Sequence, residues 1–309
     1  LAVANGEIDV ERTELILVDD GSTDETAAIA TKLLAPFPHH RVVNLAVNRG
    51  KGAAVRTGVA IARGVAIAYM DADMAIDPRT VPQLIDALVD HDIAVGSRAL
   101  SDSMVETTYI VRSLMGHIFN RMVTAGTGLG LRDTQCGFKA FRAPVARLLF
   151  GLVKTDRFAF DVELLLRAHR LGLRIAEVPV QWKHVAGSTV HPASDSFTMV
   201  ADAFRSRVGL VPVPTVPAVI VHAATDQMDA VGDSVARAAA GGGHGLQACV
   251  VANGPDLVVL LPMWSPGEVA EGWSALRAEL EPLEVSRRMV TFGQLESMRP
   301  LAGRVTTPA

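Results

Sequence analysis

Two cysteines, Cys136 and Cys249, are all that 309 residues contain. They cannot build a disulfide framework, and they lack the close spacing of a metal-binding pair. Such scarcity fits a reducing cytoplasm. Long hydrophobic runs are missing as well. A spanning helix needs about 20 apolar residues. The best candidate, Val208 to Ala224, is interrupted by Pro212, Pro214 and Pro217, which would break it. Nor does one sign of charge dominate. The 29 Lys and Arg against 33 Asp and Glu give −4, so nothing global points to nucleic acid. The chain opens at Leu1 rather than Met with no signal-peptide pattern, which raises the expectation of an incomplete N-terminus.

What is present suffices for a folded protein. Apolar residues make up 49% and charged residues 20%, enough for a core and a solvated surface. At about 150 residues per domain, the length predicts two domains. The proline-rich stretch reads as an extended linker. The expected division is residues 1–207, a linker at 208–217, and 218–309.

In the first part, strands and helices alternate. Glu14 to Val18 reads as a buried strand running into Asp19-Asp20-Gly21-Ser22-Thr23-Asp24, with Ser22 or Thr23 capping a helix from Glu25 to Leu34. Strand Arg41 to Ala46 leads through Asn48-Arg49-Gly50-Lys51-Gly52 to a helix at Ala53 to Arg63. Strand Ala66 to Met70 runs into Asp71-Ala72-Asp73, and helix Thr80 to Val89 precedes strand Ile93 to Val95 with Gly96-Ser97-Arg98. This alternation predicts an α/β fold with a doubly wound, mostly parallel sheet. Ligands of such sheets sit beyond the carboxyl ends of the strands. Asp19, Asp20, Asp71, Asp73 and Arg98 all fall there.

Several familiar chemistries are excluded by spacing. Asn48-Arg49-Gly50-Lys51-Gly52 lacks the Walker spacing and the Ser or Thr after its lysine. No Gly-x-Gly-x-x-Gly follows the first strand, so a nicotinamide dehydrogenase is not expected. The nine histidines form no metal-spaced helical pair, although His184 or His191 could complete a metal site from a distance. Asp71-x-Asp73 is more telling. Two carboxylates so close repel unless a cation joins them, and a hard ion such as Mg²⁺ or Mn²⁺ takes carboxylate oxygen while keeping places for substrate phosphates. Alone, an aspartate pair at a strand end is also ordinary turn chemistry.

The mild net charge hides an uneven distribution. Ser97 to Arg147 holds seven basic and three acidic residues, a local +4 that leaves −8 for the rest. Within it, Ile110, Val111, Leu114, Met115, Ile118, Phe119, Met122 and Val123 recur at helical spacing. They read either as a core-packed helix with solvated arginines or as a helix beside an anionic headgroup or phosphate.

With these pieces assembled, the chain resembles the family 2 inverting glycosyltransferases of GT-A fold, and among them the dolichyl-phosphate β-glucosyltransferase type. The matching runs are Leu17 to Asp24, Asn48 to Arg56, Met70 to Asp73, Gly96 to Arg98, Arg132 to Lys139, Phe158 to Leu165 and Ala176 to Val178, with Trp182 and Gly187-Ser188. The resemblance implies transfer of glucose from UDP-glucose to a polyprenyl phosphate, assisted by Mg²⁺ or Mn²⁺, at the cytoplasmic face of a membrane as a peripheral protein. It implies nucleotide contacts from Asp19, Asp20, Ser22, Lys51 and Asp71, with Asp73 as direct metal ligand beside Asp71. Arg98, Arg112 and Lys139 would hold the acceptor phosphate. Asp133 stands where relatives with hydroxyl acceptors place a base, and is expected to position more than to take a proton. Asp161 and Glu163 would line the sugar pocket, or else are solvent-facing or capping acids.

Three departures accompany the resemblance. The family opens with a strand ending in Pro-x-Tyr-Asn-Glu, and Leu1 to Val10 offers nothing like it. Ala75 stands where polyprenyl-phosphate mannose synthases often carry glutamine, and Gly116 where they carry serine. The latter two lean away from a mannose synthase using GDP-mannose. A transferase with a soluble acceptor, and a degenerate one retained as a binding or scaffold module, remain as alternatives.

Past the linker the pattern is strand 218–223, helix 226–240, strands 246–252 and 257–261, helix 268–280 and strand 285–292. That order predicts a ferredoxin-like β-α-β-β-α-β domain. Six basic and ten acidic residues from Thr215 onward disfavour an anionic ligand, so an interaction module with a protein partner is expected.

Overall fold

The computed structural model describes residues 8–106 and 129–183, together with the backbone of five C-terminal strands. The expected sites Arg112, His184 and His191, the stripe from Ile110 to Val123, and the C-terminal helices lie outside the described residues.

Chain order in the first part follows the predicted alternation. Strand β1 (Leu15–Asp19) precedes helix α1 (Thr26–Leu34), β2 (His40–Asn44), α2 (Lys51–Ile61) and β3 (Ala66–Tyr69). Helix α3 (Val81–Ala87), β4 (Ile93–Ser97), β5 (Met104–Glu106) and β6 (Lys139–Arg142) follow. Helices α4 (Ala143–Leu152) and α5 (Phe160–Arg170) then lead to β7 (Ile175–Pro179) and β8 (Gln181–Lys183). The described residues fall into two compact units. One holds residues up to 141 with 154–166 and 174–211, and the other holds 142–153, 167–173 and 212–309.

In the first unit, β1 and β2 form a parallel pair, and a four-stranded sheet has the order β3-β6-β4-β7. Strand β4 is parallel to β7 and antiparallel to β6. All five residues of β4 are buried, as the apolar run Ile93-Ala94-Val95 demands of a strand covered on both faces. Against it pack Leu84 and Leu88 from the α3 side, Phe138 and Ala140 near β6, and Val178 and Val180 near β7. A short parallel pair, β5 with β8, stands apart.

Element ends differ from expectation where side chains compete for the backbone. Ser22 and Thr23 do not cap α1. Ser22 turns back to donate to Asp19, and Asp24 takes the capping role by accepting from the Thr26 amide at 3.0 Å and its hydroxyl at 2.6 Å. Those hydrogen bonds, the hydroxyl's foremost, hold the Asp24 carboxyl below its usual range. Helix α2 begins two residues earlier than expected, at Lys51, after Gly50 at φ +108°.

In the second unit, β9 (Thr215–His222), β10 (Cys249–Asn253), β11 (Asp256–Leu260), β12 (Glu284–Thr291) and β13 (Arg299–Pro300) form one sheet in the order β12-β9-β11-β10-β13. Each neighbouring pair is antiparallel. Thr215 to Pro217, expected in the linker, are strand. Pro217 pairs in register only with Met289, because β11 joins β9 from Ala218 onward. Its missing N–H therefore falls where one side of the strand is unpaired by β11, the setting in which a strand tolerates proline.

Close approach, rather than helix propensity, explains one glycine of α2. A Cβ at Gly52 would lie 2.7 Å from the Thr155 carbonyl oxygen and 2.8 Å from Phe160 Cβ, whereas one at Gly58 would meet only Val18 at 3.4 Å. Alanine in a helix interior is favoured over glycine by about 1 kcal/mol, and overpacking costs about 1–3 kcal/mol. Thermal unfolding is expected to show Gly58→Ala raising Tm and Gly52→Ala lowering it by several degrees.

Candidate functional site

The ends of β1 and β3 and the start of α2 converge through hydrogen bonds that the sequence spacing makes possible. Asp19 is buried at the end of β1 and accepts from the Ser22 amide at 3.2 Å and from its hydroxyl. Asp20 accepts from the amides of Arg49 at 2.9 Å and Gly50 at 2.7 Å. The Ala53 amide points at the Asp156 carbonyl at 3.1 Å. Protein groups thus take the Gly50 and Ala53 amides at the start of α2. Gly21, at φ +77°, lets this turn pass beneath Asn48, whose amide nitrogen would lie 2.7 Å from a Cβ.

At the end of β3 stands the aspartate pair. Lys51 places its ammonium 2.6 Å from Asp71 Oδ1. Burial alone would lower the lysine's proton affinity, but the carboxylates of Asp161 and Asp71 outweigh it and hold Lys51 above its usual value. On its other side Asp71 leans on Gly137, where a Cβ would sit 2.0 Å from Oδ2. Asp73 is exposed and accepts from the Ala75 amide at 3.0 Å. Met74, between Asp73 and Ala75, takes the left-handed φ of +57°.

These residues suit a hard divalent cation. Both donors are carboxylates, the oxygen ligands that a hard ion takes, and a bound ion would replace the Lys51 ammonium as the counter-charge of Asp71. No cluster of three or more His, Cys, Asp or Glu suited to a metal occurs among the described residues. Phosphate oxygens and water would complete such a sphere.

The end of β4 carries a second cation–carboxylate pair. Arg98 grips Asp133 through Nε at 2.7 Å and Nη2 at 3.0 Å, and its amide adds a third bond at 3.1 Å. Burial raises the Asp133 carboxyl, but the Arg98 charge and hydrogen bonds bring it below its usual range. Burial would lower the proton affinity of Arg98, but the charge and hydrogen bond of Asp133, with a smaller contribution from Asp71, hold it above its usual value. The two strand ends therefore lie within electrostatic reach of each other.

Lys139 and Asp161 are placed otherwise than expected. Lys139 is fully buried, 2.5 Å from Asp161 and 2.7 Å from the Cys136 carbonyl. It is not available to an acceptor phosphate. Asp161 is 3% exposed and also accepts from the Tyr69 hydroxyl, so it braces the core rather than facing a ligand. Burial foremost, then the Asp161 charge, lifts the Tyr69 phenol well above its ordinary value. Glu163, 1% exposed, accepts from the amides of Lys154 and Thr155 and from the Thr155 hydroxyl at 2.6 Å. It is neither solvent-facing nor turned to a pocket. Burial also pushes the Cys136 thiol up to about 11, which leaves it inert at neutral pH.

Residues 2–150 match the profile of the glycosyl transferase family 2. The chain is 37% identical over 203 residues to a dolichyl-phosphate β-glucosyltransferase of Dictyostelium discoideum, an alignment covering 63% of this chain and 62% of that protein. The human protein of the same name is 39% identical over 190 residues, covering 58% of each. The chain thus spans about three-fifths of the length of these relatives. Among solved structures, glucosyl-3-phosphoglycerate synthase of Mycobacterium tuberculosis with Mn²⁺, UDP-glucose and phosphoglyceric acid is 23% identical, with a TM-score of 0.47 over 63% of this chain and 69% of that one.

Three supporting residues of the candidate site escaped sequence reasoning. Gly137 and Tyr69 gave no signal of their own. Glu177 stood in the matching run Ala176 to Val178 with no role assigned to it. It accepts from the amides of Arg132 and Asp133, each at 3.1 Å.

Two outcomes follow for stability. Removing one partner of a buried ion pair costs about 3–5 kcal/mol. Urea unfolding is expected to show Lys139→Met destabilised on that scale, with Asp161→Asn added to it restoring part of the loss. For Asp133, a carboxyl depressed in the folded state stabilises fully above its unfolded value, and the effect fades as pH falls through the folded one. The stability gap between wild type and Asp133→Asn is therefore expected to be constant near neutrality and to shrink only at the acid end of a pH 7 to pH 2 series.

Proposed function

We propose that this chain transfers glucose from UDP-glucose, with inversion, to a polyprenyl or dolichyl phosphate at the cytoplasmic face of a membrane. The observation that carries the reading is the Asp71-x-Asp73 turn, poised against Lys51 and Gly137 at the end of β3. It stands beside 33–40% identity to dolichyl-phosphate β-glucosyltransferases.

In this reading Asp19 and Asp20, fixed by Ser22 and the start of α2, shape the base pocket, with Asp71 and Lys51 at the diphosphate. Asp73, with Asp71, holds Mg²⁺ or Mn²⁺, which when bound neutralises charge gathering on the departing nucleoside diphosphate. Arg98 receives the acceptor phosphate, since a guanidinium fork suits phosphate oxygens. That phosphate is already ionised near neutral pH, so attack on the anomeric carbon needs orientation more than a base. No helix among the described residues is long and apolar enough to cross a membrane, and the proposed membrane contact is peripheral. For the second unit, the order β12-β9-β11-β10 is fourth-first-third-second of its long strands. That order supports the proposed ferredoxin-like fold, and we propose a partner-binding role for it.

The test is incubation with radiolabelled UDP-glucose, Mg²⁺ and dolichyl phosphate, followed by extraction into organic solvent. Label is expected in the lipid phase, lost with EDTA and reduced about a hundredfold or more in Asp73→Ala. A folded protein that leaves all label in the aqueous phase with this donor and acceptor overturns the proposal.

A further inference from the structure

The carboxylate oxygens of Asp133 are all spoken for. Oδ2 accepts from the Arg98 amide at 3.1 Å and from Arg98 Nε at 2.7 Å. Oδ1 accepts from Arg98 Nη2 at 3.0 Å and from the Gln135 amide at 3.2 Å. A carboxylate offers about four lone-pair sites, and four donors occupy them. A general base needs a free lone pair within hydrogen-bond reach of the proton it removes, and Asp133 has none to spare.

The same bonds fix Arg98. Its guanidinium is planar, so engaging Nε and one Nη2 hydrogen leaves the opposite edge, with Nη1, directed away from Asp133. The Arg98 side chain is 37% exposed while that of Asp133 is 8% exposed. A fork with one edge anchored and the other open to solvent is a pre-set receptor for an oxyanion. Behind Asp133 stands Glu177 of β7, opposite Val95 of β4 in the parallel register. Its carboxylate takes the Arg132 and Asp133 amides. The strand beside β4 therefore holds the turn that orients the arginine at the end of β4.

We propose that Glu177 and Asp133 are positioning residues that act in series to aim the free edge of Arg98 at the phosphate of the acceptor, and that Asp133 takes no proton. This rests on the proposed acceptor class. Glu177→Gln keeps one accepting oxygen and loses the charge. Asp133→Asn sets an amide NH₂ against Nη2 and breaks the fork.

The experiment measures binding of a short-chain polyprenyl phosphate to the full chain in detergent by calorimetry, and steady-state kinetics with UDP-glucose. Both variants are expected to weaken polyprenyl phosphate binding about tenfold. The acceptor KM rises to match, kcat at saturating acceptor stays within about threefold, and the KM for UDP-glucose and the pH profile of kcat stay unchanged. Loss of kcat in Asp133→Asn at unchanged acceptor KM, with a flattened pH profile, makes Asp133 a base and overturns the proposal. Equal weakening of UDP-glucose overturns it too, as the mark of a general structural role. Should Asp133→Asn fail to fold, Glu177→Gln decides alone. Absence of transfer by wild type counts against the proposed function, whereas the binding series judges the positioning pair whether or not transfer occurs.

Discussion

A lysine with no exposed surface anchors the candidate site. Burying an ammonium without partners is prohibitive, and Lys139 survives in the interior because Asp161 and the Cys136 carbonyl meet it, with the Tyr69 ring 5.7 Å away. Each partner comes from a different element. Asp161 opens α5, Cys136 precedes β6, and Tyr69 ends β3, stacked with Phe141 and tilted against Phe160. Satisfying one buried charge therefore locks three elements in a fixed relation. Two residues beyond Tyr69 lies Asp71, and one beyond Cys136 lies Gly137, against which Asp71 rests. The geometry of the aspartate pair is inherited from the buried pair behind it.

A second brace works from the opposite side. Glu163, two residues after Asp161 on the same first helical turn, gathers the amides of Lys154 and Thr155. The segment it shapes meets α2, where Asp156 accepts from the Ala53 amide and from Arg56. Gly50 and Gly52 are needed because Asp156 and Thr155 carbonyls approach them within 2.6–2.7 Å of a would-be Cβ. Lys51, between those glycines, is thereby delivered to Asp71. Acids that looked like pocket residues in the sequence thus define where the pocket residues stand.

How much of this was legible depended on whether the signal was local. Strand ends after apolar runs placed Asp19, Asp20, Asp71, Asp73 and Arg98 correctly at one end of their strands, because strand length and turn chemistry are set by neighbouring residues. The sites of Lys139 and Asp161 were misread because burial is decided by contacts between residues far apart in sequence. A charged residue inside Cys136-Gly137-Phe138-Lys139-Ala140-Phe141 had two readings, ligand contact or buried pair, and only the partner 22 residues away distinguishes them. The cap of α1 failed for a related reason. Ser22 had a better acceptor in Asp19, which lies behind it rather than ahead. Glu177 lay in a matching run, but its task belongs to the loop of Asp133, 44 residues earlier.

The two cation–carboxylate pairs at the strand ends are built for different duties. Lys51 touches Asp71 at one point, and the Asp71 side chain is 43% exposed. Such a contact is a compact ammonium on a flexible stem, so phosphate oxygens or a metal ion can displace it without dismantling the turn. Arg98 and Asp133 share a two-point fork closed by a backbone amide and backed by Glu177, so neither can leave without unpairing several buried groups. In the proposed reaction the nucleotide side must accept and release a highly charged diphosphate every cycle, which favours an exchangeable counter-charge. The acceptor phosphate contributes its own nucleophilic oxygen and asks only to be aimed, which favours a rigid one. The choice of lysine at the first site and arginine at the second follows from that division.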